Sequence, residues 1–280
     1  MNGIIYVNKP KGFTSFDVCN KLKRVLNVKK IGHTGTLDPN ATGVLVIMLN
    51  KAVKCNQFLL NSNKEYIAEL QLGIKTTTKD IWGDVMAEEP YQIPTNHEIE
   101  AVLKSFLGKQ TQIPPMTSAI KVNGKKLYEL QRANIEIEPP KREIEIMDIE
   151  LLEVNDSIKF RVLVSKGTYI RSLCEDIAAK LGSLGCMKSL IRTKVNNVTL
   201  KDCFTLEDII NGNYTLHSIY DILKDEYYMH ETDDVDHIKQ GKRIRVNSNE
   251  DVIMVTHNHE VLAAYQRVDE YTYKSKRGLF

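Results

Sequence analysis

Apolar positions in this chain recur with two periods, and each predicts a different element. Ile158, Phe160, Val162 and Val164 occupy every second position. So do Tyr66, Ala68, Leu70 and Leu72, with Glu69 and Gln71 between them. Period two puts one face of a strand in a core and the other towards water. Ile4–Val7 and Glu143–Leu152 read as further strands, and the unbroken run Val44–Leu49 as a buried strand or segment. Helical spacing appears at Val18, Leu22 and Val25, where Thr14 or Ser15 can cap the start. It recurs over Lys51–Leu60 and at Ile170, Leu173, Ile177 and Leu181, where Gly182 closes the turn. Thr95 and Glu98 form a capping box ahead of Ile99, Val102, Leu103, Phe106 and Leu107, and Gly108 is expected to end that helix. Short β-like pieces follow at Ile244–Val246, Val252–Val255 and Val261–Tyr265.

At 280 residues the natural expectation is one large domain and one small one. No apolar stretch approaches the roughly 18 residues of a membrane span, and no signal peptide is read at the N-terminus. Five cysteines at 19, 55, 174, 186 and 203 form no Cys-x-x-Cys pair. Such a scattered odd set predicts reduced thiols in a cytoplasmic protein and no structural zinc site. His257 and His259 read as a turn, not a metal site.

The net charge of +2 hides a lopsided distribution. Residues 1–60 carry nine Lys/Arg against two Asp, and residues 104–142 eight against three Glu. The compensating acid lies largely in 221–236, with seven Asp/Glu against one Lys. From Thr111 basic residues interleave with Pro, Gly and Tyr, which predicts an extended arm for nucleic acid. Two basic regions either side of one loop fit a polyanionic partner.

That loop is Gly32-His33-Thr34-Gly35-Thr36-Leu37-Asp38-Pro39-Asn40-Ala41-Thr42-Gly43. Three glycines permit close approaches, and Pro39 stiffens the backbone beside a single carboxylate. A nucleotide-binding reading fails, because no Lys-Ser or Lys-Thr follows and the Walker spacing is absent.

The string resembles the catalytic motif of the TruB family of tRNA pseudouridine synthases, in which the Asp is the essential residue. The likeness extends over roughly residues 3–200. Lys9-Pro10-Lys11-Gly12 is similar to a segment that packs beside the catalytic loop. Glu65-Tyr66 opens a second motif, and Thr76–Asp80 resembles Thr-Asp-Thr-x-Asp with Thr77 replacing the first Asp. Ser165-Lys-Gly-Thr-Tyr-Ile-Arg171 matches the third motif. Leu190-Ile191-Arg192 resembles a late Leu-Arg-Arg.

The resemblance implies an α+β pseudouridine synthase fold, a mixed, largely antiparallel sheet with flanking helices. It implies a catalytic domain over 1–229, a thumb insertion at about 109–142, and a short PUA-like β domain over 230–280. It implies that Asp38, Tyr66 and Arg171 are catalytic: Tyr66 stacks on the flipped base and Arg171 pairs with the carboxylate. RNA contacts are expected from His33 (a wedge in the vacated stack), Lys9, Asp80, Leu190 and the insertion residues Lys121, Lys125 and Lys126. The implied substrate is the uridine at position 55 in the T-arm of tRNA, converted by a monomer without guide RNA, membrane, metal or cofactor. The reaction only rearranges bonds, so it needs no redox group. A non-enzymatic RNA-binding or tRNA-folding protein on the same fold is the alternative.

Overall fold

The computed structural model describes residues 1–59, 63–133, 135 and 137–280. They fall into two compact units, one made of 1–39, 44–60 and 201–280, the other of 40–43 and 61–200.

In the first unit the Gly3–Lys9 strand lies beside the Thr42–Leu49 strand. The short Ile31–His33 strand pairs antiparallel with the latter, Ile31 opposite Leu49 and His33 opposite Ile47. Thr14 caps the Ser15–Val25 helix, accepting from the Asp17 N–H while the Asp17 carboxylate accepts from Thr14. Val18 and Leu22 enter a core with Ile5, Val7, Leu45, Ile47 and Leu49. Val25, expected on that face, is 42% exposed in the last turn. The helix expected over 51–60 is instead a 3-10 helix, Asn50–Cys55, running into a four-residue α-helix, Asn56–Leu59; Leu60 lies outside the described residues. Ala52, Cys55 and Phe58 are all buried, and a spacing of three is what a three-residue turn lines up.

The same unit holds a five-stranded sheet in the order Tyr228–Glu231, Val252–His257, Glu260–Arg267, Thr272–Gly278, Ile244–Arg245. Its first pair is parallel and the rest antiparallel. Ile253, Val255, Leu262, Tyr265 and Tyr273 form its core with Ile238 and Val246. Asn258 and His259, both at positive φ, make the tight turn between two of its strands; of the pair His257 and His259 read as a turn, His257 ends the strand before it. The strands Tyr228–Glu231 and Thr272–Gly278 lack an apolar alternation and could not be read in advance.

In the second unit five antiparallel strands run in the order Gly185–Val195, Lys64–Leu72, Ile158–Val164, Arg142–Val154, Gly108–Gln112. Both period-two patterns predicted from sequence are central strands here. The Ile170–Lys180 helix ends as Gly182 suggested: its N–H bonds Ala179 O while that of Ser183 bonds Ala178 O, a double closure that needs the positive φ of Gly182. The Thr95–Glu98 capping box opens the Asn96–Lys104 helix. Leu107 is 48% exposed beyond that helix, and Gly108 starts a strand instead of ending the helix.

That strand and Arg142–Ile146, with which it pairs, flank the segment expected as an insertion. Farther out the chain is not extended throughout. Lys121–Val122 and Lys125–Lys126 form a hairpin around Asn123-Gly124, both at positive φ, and a short helix, Leu127–Arg132, follows.

Candidate active site

Asp38 lies between two anchored neighbours. Leu37 is buried, and its N–H donates to Ser15 Oγ at 2.9 Å while Ser15 Oγ donates back to Leu37 O at 3.3 Å. Pro39 O accepts from Lys9 Nζ at 2.9 Å and from the Gly12 N–H at 2.9 Å. Lys9 Nζ also donates to Pro10 O and Phe13 O. Lys9 is wholly buried, which corrects the expectation of an RNA contact. An ammonium enclosed by carbonyl oxygens braces the loop, where a phosphate contact needs it at the surface. Such bracing holds the backbone around Asp38 in one geometry before any ligand arrives.

The loop itself is shorter than the motif. Gly32 and His33 belong to a strand, as do Thr42 and Gly43. Gly43 has a demonstrable need: at φ +107 an added Cβ would sit 2.2 Å from Arg192 O. Gly32 would gain only ordinary contacts with Met48 and Val53.

In the second unit, Thr42 and Gly43 pair in parallel with Ile191 and Arg192, and Arg192 lies opposite Tyr66 on the next strand. Tyr66 is 7% exposed and Leu190, opposite Ala68, is equally buried. Arg192 is fully buried, a charge that the Leu190-Ile191-Arg192 string made visible without marking as special. Nearby, burial and then the Arg192 and Lys166 charges push the Lys64 ammonium down to about 8.

Arg171 opens the Ile170–Lys180 helix and is buried. Its Nη1 donates to Thr78 O at 3.0 Å and to Thr117 Oγ1 at 2.6 Å, and its Nη2 donates to Thr117 O at 3.1 Å. Asp80 Oδ2 lies 3.6 Å from Nη1. Asp80 Oδ1 accepts from Thr78 Oγ1 at 2.7 Å and the Trp82 N–H at 3.2 Å. Asp80, expected among the RNA contacts, is thus turned inward on Arg171, where a buried carboxylate offsets a buried guanidinium. Two groups without a prior signal finish the frame: Thr117 within the insertion, and Gln112, which exchanges hydrogen bonds with the Tyr169 backbone at 2.8 and 3.0 Å.

A planar fork serves three oxygens at once here, and an ammonium cannot. Arg171→Lys is expected to keep the fold and lower kcat/KM by about 100-fold, the scale of an ångström-level misplacement. A steady-state assay beside a thermal melt checks it, and full activity would show that charge alone suffices.

On the insertion, Lys121 and Lys125 are exposed. Lys126 donates to Tyr128 OH at 3.0 Å and lies 5.2 Å from the ring centre, with Arg132 at 5.5 Å. The hairpin places Lys121 opposite Lys126, so like charges face each other across it. Among the described residues no group of three or more His, Cys, Asp or Glu could hold a metal ion, and no helix is long and apolar enough to cross a membrane.

A family model described as TruB family pseudouridylate synthase (N terminal domain) matches residues 23–170, more than half the chain. The chain belongs to the TruB family. A second model, described as the tRNA pseudouridylate synthase B C-terminal domain, matches residues 171–232 of this synthase. A tRNA pseudouridine synthase B of Alkaliphilus oremlandii is 48% identical over 224 residues, 80% of this chain and 73% of its own. One of Mesoplasma florum is 40% identical over 282 residues, 99% of this chain and 98% of its own. Among solved structures, a chain of a Cbf5-Nop10-Gar1 complex superposes with a TM-score of 0.71 at 24% identity, covering 99% of this chain and 85% of that one. That likeness is one of fold, and the fold is the α+β pseudouridine synthase fold expected from sequence. Membership makes the TruB-type synthase an isomerase, and the non-enzymatic alternative falls away.

Proposed function

We propose that this synthase converts the uridine at position 55, in the T-arm loop of tRNA, to pseudouridine, with Asp38 as the catalytic carboxylate. The observation that carries the reading is the double anchoring of Asp38, through Ser15 on Leu37 and Lys9 on Pro39, inside a stretch that the family model covers. The N1–C1′ bond breaks, the uracil turns, C5 bonds to C1′, and the proton on C5 leaves as N1 gains one. Asp38 attacks the sugar or base, or takes a ribose proton. Tyr66 supplies a stacking face for the flipped base, Leu190 a wall, Arg171 a positioned guanidinium, and His33 fills the vacated stack.

The relatives' name, tRNA pseudouridine synthase B, supports tRNA as substrate. The synthase works as a monomer in the cytoplasm, without guide RNA or cofactor. The catalytic domain takes residues 1–229 and the PUA-like domain 230–280. Incubation of purified protein with an unmodified tRNA transcript, then mapping of pseudouridine, tests the reading. Conversion at position 55 is the expected result, and conversion elsewhere or none would overturn it.

Lys121, Lys125 and Lys126 are proposed to grip the RNA backbone. Their replacement by Gln is expected to weaken binding and reduce the salt slope by roughly 2, at about 0.7–0.9 per lost phosphate contact. The single-turnover rate at saturating RNA should change little. An unchanged slope would remove the insertion from the interface.

A further inference from the structure

Within the first unit lies a cavity of about 500 Å³ lined by Asn2, Lys29, Lys30, Asn50, Lys51, Val53, Lys54 and Arg277. Five of these eight residues are cations and none is acidic. They include four of the nine Lys/Arg in residues 1–60, so the charge excess there is gathered into one place. None of them belongs to the catalytic loop.

Asn50 builds the frame. At φ +50 its side-chain oxygen accepts from the N–H groups of Lys29 and Lys30 at 3.0 and 2.9 Å. Its amide donates to Met1 O at 2.6 Å. The Lys29-Lys30 corner is thereby stapled to the 3-10 helix that carries Lys51 and Lys54. Lys51 has Glu260 at 3.0 Å, and Lys54 donates to Phe280 O. Lys29, Lys30 and Arg277 have no acidic partner within 4 Å among the described residues, so like charges stand together unneutralised. Proximity of that kind costs free energy, and a bound polyanion would relieve it.

Position selects the polyanion. The eight-residue Thr42–Leu49 strand runs from the catalytic loop at one end to Asn50 at the other, about 25 Å at 3.3 Å per residue. A small phosphate compound at the catalytic loop could not also reach the cavity, whereas a folded RNA could. We propose that this cavity is a second phosphodiester-binding site, holding the backbone of the tRNA substrate outside its T-arm. The proposal rests on tRNA as the substrate and extends it to a backbone contact separate from the one at the catalytic loop.

The test uses the full chain and its Lys29→Gln/Lys30→Gln/Arg277→Gln variant, whose altered side chains are solvent-exposed. Binding of an unmodified tRNA transcript and of a T-arm hairpin is measured against salt. For the transcript, the variant's slope should be roughly 2 lower, at about 0.7–0.9 per lost phosphate contact. The hairpin's slope should not move, and turnover of saturating transcript should stay within two-fold. An unchanged transcript slope would overturn the site. Equal losses for transcript and hairpin would overturn its placement beyond the T-arm. Conversion of either RNA by the unaltered protein is read separately, so failure of the tRNA reading shows there and failure of the cavity shows only in the slopes. A thermal melt of the variant establishes that it is folded.

Discussion

Asp38→Asn is expected to reduce turnover by roughly 10⁴-fold or more, the scale on which loss of an essential nucleophile registers. RNA affinity should stay within a few-fold. The substitution keeps the size of the side chain and leaves the anchors of the loop alone, because Ser15 holds the Leu37 backbone and Lys9 holds Pro39 O. Loss of the carboxylate then removes the chemistry while the loop's path persists. Single-turnover conversion and equilibrium binding, measured on one preparation, decide the matter. Near-normal conversion would dismiss Asp38 as the catalyst, and a parallel collapse of binding would make it a structural residue.

Gly43→Ala should be the most damaging change for the fold near the loop. Its new methyl would lie 2.2 Å from Arg192 O and 2.8 Å from Arg192 N, both backbone atoms of a paired strand. At φ +107 the backbone strain adds to the clash. Strain of about 1–3 kcal/mol and overpacking of about 1–3 kcal/mol together predict a loss near 4 kcal/mol. The melting temperature would fall by about 10 °C, at roughly 2–4 °C per kcal/mol for a chain of this class. Gly12→Ala is the matched control. Gly12 has φ +84 but nothing within 4 Å of the new methyl, so only the strain remains. Equal losses for the two variants would show that close approach to Arg192 is not what Gly43 provides.

The sequence by itself determined whatever is encoded within a few residues. The alternation at Ile158–Val164 and Tyr66–Leu72, the Thr95–Glu98 box, the Gly182 stop and the loop around Asp38 were all legible. In each case the physical cause, a capping oxygen, a positive φ or a two-residue period, lies beside the residue it governs. Family likeness added the roles proposed for Tyr66 and Arg171.

Tertiary structure alone decided which polar groups are taken inside. Lys9 looked like a surface cation until its ammonium was found among the carbonyls of Pro10, Phe13 and Pro39. Asp80 became the partner of Arg171 across 91 residues of sequence. Arg192 was fully enclosed by strands that meet only in the fold, and Lys29, Lys30, Lys51, Lys54 and Arg277 came together around one cavity. Burial and pairing of charges depend on atoms brought from far along the chain, and no local period records which they will be.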